Sequence, residues 1–157
     1  MKKFNSFILL ILLLLNISSC GFQPRGINVV NFETISINGG SSSFTKLLKK
    51  KFKQSGVKIQ EKNSEKTLEI TNDTFSKKIL SLSAAGKVRE YQINYTASFR
   101  FKSKDKEWGD LITLDVSREF SFDDKNIIAK TKEESRLIKG MKDQIILTIV
   151  NQISVIK

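Results

Sequence analysis

Apolar and polar residues alternate strictly from Tyr91 to Lys102, and this is the clearest pattern in the chain. Successive side chains of a β-strand point to opposite faces, so the pattern predicts a strand with one buried and one wet face. Such strands belong to antiparallel sheets that are covered on one side only. The six apolar positions are Tyr91, Ile93, Tyr95, Ala97, Phe99 and Phe101.

Three further segments have strand character. Residues 29–37 are rich in Val, Ile and Phe. Residues 67–83 alternate as well, but the phase slips, which predicts a β-bulge at residues 72–75. After a hairpin turn, the alternation returns over residues 112–122 and is interrupted at Arg118. We expect Arg118 to lie at the sheet margin or to pair with an acid.

Two segments have helical periodicity. Phe44, Leu47, Leu48 and Phe52 share one face of a helix of about three turns, and Gly56 suits its end. A second helix is predicted from residue 127 to residue 155, roughly 40 Å long at 1.5 Å per residue, with acids at its start favouring the helix dipole. Its apolar stripe consists of Leu137, Ile138, Met141, Ile145, Ile149 and Ile153.

The order of these elements is strand, helix, strands, helix, and each helix has a single apolar face. We therefore expect an α+β fold in which two helices pack on one face of a four-stranded, mostly antiparallel sheet. The opposite sheet face would be polar, and it would meet either water or a partner.

The first residues have the layout of a secretory signal peptide. Lys2 and Lys3 precede an unbroken apolar run over residues 7–15, too short to span a membrane. Residues 17–20, Ile-Ser-Ser-Cys, resemble the lipobox of bacterial lipoproteins. We expect a signal peptide over residues 1–19, a diacylglyceryl group and an N-acyl chain on Cys20, a tether over residues 20–28, and one periplasmic domain over residues 29–157. Gly21 favours the outer membrane, because lipoproteins kept at the inner membrane typically have Asp there.

Charge and composition exclude several functions. The 157 residues include 27 Lys and Arg, 16 Asp and Glu, and no His. Nucleic acid, anionic lipid or an acidic protein surface would each suit this charge, but export argues against nucleic acid. The lack of His excludes Cys–His and Ser–His–Asp catalysis. Apart from the acyl chains on Cys20, no cofactor is expected.

Several short motifs resemble the LptE family of lipopolysaccharide-assembly lipoproteins. Cys20-Gly21-Phe22 and Arg25-Gly26, directly behind the lipobox, resemble the start of the mature family members. Glu90-Tyr91-Gln92 follows a glycine-containing turn, as in the family. Arg118-Glu119-Phe120 and the helix head at Ala129-Lys130 also resemble it. The similarity runs in the same order through the whole mature chain.

The resemblance implies a non-enzymatic α+β lipoprotein at the periplasmic side of the outer membrane. It would plug the lumen of a large β-barrel, the LptD translocon, help that barrel to assemble, and help lipopolysaccharide to reach the outer leaflet. Arg and Lys bind phosphates and carboxylates through charge-assisted hydrogen bonds. We expect Lys87 and Arg89 at the hairpin tip and Lys130 at the helix head to contact lipopolysaccharide, with solvated surface charge as the plainer interpretation.

Two other functions stay open. One is a different outer-membrane lipoprotein, either an accessory of barrel insertion or a carrier of lipoproteins, which would need a large apolar cavity. The other is an envelope enzyme, since two carboxyl groups about 5–9 Å apart support glycoside hydrolysis. The available carboxylates, Asp105, Glu107, Asp110 and Asp115, lie mostly in a charged turn, where solvation explains them.

Overall fold

A computed structural model describes residues 30–155 of the chain. The expected signal peptide, Cys20 with its acyl chains, and the tether all lie outside the described residues and stay predictions. The elements, in chain order, are β1 (Thr34–Gly39), α1 (Ser42–Gln54), β2 (Lys58–Ile59), β3 (Lys66–Leu82), β4 (Val88–Ser103), β5 (Ile112–Ser121) and α2 (Ile127–Val155). A short 3₁₀ turn, Asp124–Asn126, leads into α2.

All strands form one sheet, in the order β2-β1-β3-β4-β5. The long β3–β4 and β4–β5 pairings are antiparallel, whereas β1 runs parallel to both of its neighbours. The α+β class is confirmed, with the two helices on one face of a mostly antiparallel sheet. The number of strands was wrong: the sheet has five, because Lys58–Ile59 pairs with Thr34–Ile35 at one edge.

Two strand details also differ from the predictions. The first strand begins at Thr34 and continues to Gly39, later than the apolar residues alone indicated. The phase slip in β3 is a real irregularity, but the register shifts between Ile70 and Asn72, which places the extra residue at Thr71. Further shifts occur between Ile79 and Leu82, close to the hairpin turn, where the alternation of β3 seemed regular.

The core lies between the sheet and the helices. Phe44, Leu48 and Phe52 of α1 are buried, as are Met141, Ile145 and Ile149 of α2. Burying a side chain of this size stabilises the fold by about 1.5–3 kcal/mol relative to leaving it in water. The inward positions of β4 meet these helices, and the Tyr95 ring stacks on the Phe44 ring with centroids 6.0 Å apart.

A polar network fixes the start of α1 against the sheet. Ser41, the N-cap residue, donates from both its amide and its hydroxyl to the Asp73 carboxylate at 2.6 Å, and Tyr95 donates to the same carboxylate at 2.8 Å. Burial tends to raise the pKa of Asp73, but these hydrogen bonds and the charge of Lys142 hold it below its usual value. Burial and the nearby carboxylate raise the pKa of Tyr95.

Glycine is required where β1 turns into α1. Gly39 has a φ of +73°, and a Cβ atom there would collide with the carbonyl oxygen of Ile70 on the neighbouring strand. Gly56, after α1, has a φ of +85° but faces open space. Both glycines relieve a left-handed backbone, and only Gly39 also permits close approach of another strand.

Candidate functional site

The three residues predicted to bind lipopolysaccharide lie at one end of the sheet, which we call the hairpin end. It comprises the β3–β4 turn at residues 83–87, the end of β5 and the head of α2 at residues 121–136. The backbone joins these parts, because the Phe122 amide donates to the Arg89 carbonyl at 2.7 Å. The structure therefore brings Lys87, Arg89 and Lys130 to the same region of the surface.

Lys87 and Arg89 are presented to solvent. The turn before them is closed by the Ser83 amide, which donates to the Lys87 carbonyl at 2.7 Å, and by the Lys87 amide, which donates to the Ser83 hydroxyl at 3.1 Å. The Lys87 ammonium lies 3.6 Å from the Asp124 carboxylate, but its side chain is 73% exposed. Within residues 30–155, the Arg89 guanidinium has no ion pair, so both groups can reach an anionic ligand.

Lys130 is differently placed. Its ammonium donates to the Ser121 hydroxyl at 3.0 Å and to the Glu133 carboxylate at 2.9 Å, and its side chain is only 19% exposed. These contacts attach the head of α2 to the end of β5. Because an acid already neutralises it, Lys130 supports the hairpin end more directly than it offers charge to a ligand.

A cluster of three aromatic rings packs beneath the head of α2, on the helix-covered face of the sheet. The Tyr91 ring packs against the rings of Phe120 and Phe122, with centroids 5.8 and 5.2 Å away. The Lys77 ammonium lies 4.1 Å from the Tyr91 centroid and forms a salt bridge of 2.7 Å with Glu134. The head of α2 is thus held to the sheet by a cation on an aromatic face and by an ion pair.

An open groove of about 930 Å³ runs along the outer side of the α2 head. Ile127 and Ile128 line it and are 55% and 75% exposed. Three cations accompany them: Lys125, Lys132 and Arg136. The sequence prediction did not assign this pair of isoleucines to a site. Ile127 is in phase with the apolar stripe of the helix, so periodicity alone gave no signal that its side chain is exposed.

A carboxylate caps the turn at the start of α2. The Asp123 carboxylate accepts from the Lys125 amide at 3.0 Å and from the Asn126 side chain at 2.9 Å. These hydrogen bonds hold the pKa of Asp123 below its usual value. Asp123 therefore caps the 3₁₀ turn that leads into α2.

The open face of the sheet is a polar surface. Thr96 donates to Asp115 at 2.6 Å, Gln92 donates to Glu119 at 3.2 Å, and Arg100 pairs with Glu69. A further cross-strand pair joins the hydroxyls of Ser98 and Thr113. The expected wet face is therefore a ladder of polar pairs between neighbouring strands.

The structure also shows where Arg118 lies and what it contacts. It lies on β5, the edge strand, and its guanidinium donates to the side-chain oxygen of Gln144 on α2 at 2.8 Å. The margin position is confirmed, and the partner is an amide rather than an acid.

The carboxylates considered for catalysis are dispersed. Asp105, Glu107 and Asp110 lie in the exposed turn after β4, and Asp115 belongs to the polar ladder. Among residues 30–155, no group of three or more acidic or sulfur side chains is close enough together to hold a metal ion. Within the same part of the chain, neither helix is apolar enough over sufficient length to cross a membrane.

The family model for LptE, described as lipopolysaccharide-assembly, matches residues 27–153. The chain belongs to the LptE family. The match includes both helices, all five strands and the whole hairpin end. This membership confirms the resemblance that the motifs indicated and makes the protein a lipopolysaccharide-assembly protein.

Solved structures show the same fold. A lipoprotein B from Nitrosomonas europaea is 28% identical, with a TM-score of 0.73, and the match covers 85% of this chain and 90% of that one. Rare lipoprotein B from Shewanella oneidensis is 24% identical, with a TM-score of 0.67 and coverage of 76% and 92%. A minor lipoprotein from Acinetobacter baumannii is 20% identical, with a TM-score of 0.64 and coverage of 80% and 92%. A comparison with curated proteins gave no match.

Proposed function

We propose that this LptE-family protein is a non-enzymatic lipoprotein of the outer membrane that plugs the lumen of an LptD-like β-barrel and assists its assembly. The observation that carries the proposal is the family match over residues 27–153. The plug would fill the barrel and help lipopolysaccharide to reach the outer leaflet. Acyl chains on Cys20 would anchor the protein to the membrane.

The open face of the sheet suits such a position. The lumen of a large outer-membrane barrel is polar, so a domain inside it needs a polar exterior. The cross-strand ladder that includes Thr96, Asp115 and Gln92 offers hydroxyl, carboxylate and amide groups over one broad face. A partner wall can exchange hydrogen bonds with these groups without leaving apolar surface in water.

The hairpin end suits contact with lipopolysaccharide, which is anionic and also carries acyl chains. Lys87 and Arg89 provide exposed cations, and Ile127 and Ile128 provide exposed apolar surface beside the groove. Lys130 takes part by holding the head of α2 next to the tip. Charge-assisted hydrogen bonds to phosphate are the expected mode of recognition.

Copurification tests the proposal directly. The full chain, tagged after Lys157 and expressed in its natural host, is extracted from the outer membrane in mild detergent, and its partners are identified by mass spectrometry. We expect a large β-barrel in equal amount. Recovery of the chain with the barrel-insertion machinery, or alone, would exclude the plug and favour the accessory-lipoprotein alternative.

A further inference from the structure

The edges of the sheet differ in how they are protected, and three of them are compared: those of β2, β5 and β3. The β2 edge is only two residues long. The β5 edge carries Asp115, Arg118 and Glu119, and the apolar side chains of the strand, residues 112–121, are at least partly covered. Short length and charge are two common ways in which proteins prevent unwanted pairing at strand edges.

The edge of β3 beyond its pairing with β1 is less protected, because it is long and exposes large apolar side chains beside Lys77 and Lys78. β1 pairs with β3 only from Lys66 to Ile70, and Ser41 covers it as far as Asp73. From Thr74 to Leu82, β3 is hydrogen-bonded to β4 on one side, and no strand of residues 30–155 lies on the other. Four large apolar side chains on this stretch are between 38% and 54% exposed: Phe75, Ile79, Leu80 and Leu82.

The two faces of this free segment differ in chemistry. Phe75 and Ile79 lie opposite Tyr95 and Tyr91, so they point to the helix-covered face, with Lys77 between them already paired with Glu134. Thr74, Ser76 and Lys78 lie opposite Thr96, Asn94 and Gln92, on the open face. Within residues 30–155, Lys78 forms no ion pair. A strand added here would therefore meet apolar groups on one face and a cation on the other.

An added strand could come from residues 1–29 of this chain, from a second copy of it or from another protein. Charge disfavours the first two sources. A second copy paired antiparallel about Lys78 would place that lysine opposite itself, and like charges directly opposite one another are destabilising. Residues 1–29 of this chain contain Lys2, Lys3 and Arg25 and no acid. Neither of these two arrangements places an acidic group opposite Lys78.

We propose that the free edge of β3, from Thr74 to Leu82, is a docking site for an extended segment of another protein in which apolar and acidic residues alternate. The segment would extend the sheet by one strand. Its apolar side chains would cover Phe75 and Ile79, and its acids would face Lys78. Backbone hydrogen bonds would supply affinity, and the alternation would supply specificity. The site exists whichever protein provides the segment, so the inference does not depend on the translocon proposal.

The first experiment uses the full chain in mild detergent and a twelve-residue peptide in which Val and Glu alternate. Hydrogen–deuterium exchange, followed by mass spectrometry, should show slower exchange confined to residues 74–82 when the peptide is present. A peptide in which Val alternates with Lys is the matched control and should not bind. Equal binding of the two peptides would overturn the proposed chemistry.

Backbone pairing is tested with two N-methylated forms of the Val–Glu peptide. One form is methylated at the odd amides and the other at the even amides, so that each blocks a different edge of the peptide strand. Because a single edge faces β3, one form should lose binding and the other should keep it. Indistinguishable behaviour of the two forms would exclude strand addition.

A protein variant tests the charge. Lys78→Glu should weaken binding of the Val–Glu peptide by roughly two- to fivefold, the range of one cross-strand charge pair, whereas Lys46→Glu on the exposed side of α1 should leave it unchanged. Without peptide, slow exchange of those amides of residues 74–82 that point away from β4 would contradict the proposal. In a monomer it would mean that residues 1–29 occupy the edge, and in a dimer, detected by sedimentation, that a second copy does.

Discussion

Lys77 of β3 and Glu134 of α2 form a salt bridge of 2.7 Å across the face of the Tyr91 ring. Both side chains are largely withdrawn from water, with 28% and 20% exposure. The fully buried residues of α2 begin only at Met141, so this pair holds a part of the helix that the core does not secure. Together with the contacts of Lys130, this pair therefore fixes the orientation of the hairpin end.

We expect Lys77→Ala to loosen the head of α2. The change removes the ion pair with Glu134 and the contact with Tyr91, at a cost of about 1–2 kcal/mol in unfolding free energy. Hydrogen exchange should rise at residues 127–136 and stay unchanged at residues 141–153. Lys77→Met keeps most of the packing, so it separates the loss of charge from the loss of contact. If residues 127–136 exchange at the same rate in the native chain and in both variants, the pair does not hold the helix.

Gly39→Ala and Gly56→Ala form a matched pair. Both place a side chain on a left-handed backbone, at a cost of roughly 1–2 kcal/mol. Only at Gly39 would the new Cβ collide with the Ile70 carbonyl, so Gly39→Ala should lower the unfolding free energy by at least about 3 kcal/mol or prevent folding. Urea unfolding of the two variants checks this. Similar losses in the two would mean that β1 and β3 can separate at no cost.

Acid should weaken the network around Asp73. Its pKa is lower in the folded protein than in the unfolded chain, so its stabilising contribution is complete above the unfolded value and is lost as the pH falls through the folded value. Asp73→Asn should therefore be less stable than the native chain by about 1–2 kcal/mol at pH 7. The difference should shrink below a pH of about 4. Urea unfolding at several pH values measures it, and a difference that does not vary with pH would rule out the carboxylate as its source.

Charge reversal tests the hairpin end. The double variant Lys87→Glu, Arg89→Glu should bind lipopolysaccharide at least about tenfold more weakly, because two charge-assisted contacts each contribute about 1.5–3 kcal/mol when formed. Lys46→Glu combined with Lys53→Glu changes the net charge equally on the exposed side of α1 and serves as the control. Equal weakening in both would indicate attraction to overall charge rather than a site. Lys130→Ala should act mainly on stability, through Ser121 and Glu133.

Much of the fold could be predicted because its helices and β4 have single apolar faces. The helix predicted over residues 127–155 has the same bounds in the structure, and the inward positions of β4, such as Ile93 and Phe99, are buried. β2 could not be predicted, because a two-residue strand has no periodicity and forms only through its parallel pairing with β1. The bulge lies before its predicted position. Beyond Thr71 most of β3 is exposed, so burial does not determine which side chains alternate there and the sequence does not locate the bulge.

The site was predictable only in part. Position along the chain placed Lys87 and Arg89 at a turn, and the structure puts Lys87 in the turn and Arg89 at the start of β4. The same reasoning could not distinguish the exposed Lys87 from the neutralised Lys130, because the contacts with Ser121 and Glu133 depend on where α2 begins relative to β5. The apolar partners Ile127 and Ile128 are recognisable as exposed only in the structure, because the fully buried residues of α2 begin at Met141.

β1 is the first strand within residues 30–155, yet both strands that hydrogen-bond to it come later, at Lys58–Ile59 and from Lys66 to Ile70. A ribosome delivers the chain from its amino end, so β1 emerges with nothing to pair with. Pairing between such distant segments is slow because the loop must close first. The nascent domain therefore cannot complete its sheet until β5 has been synthesised, which leaves an interval in which most of the strands have been made but the sheet is still unformed.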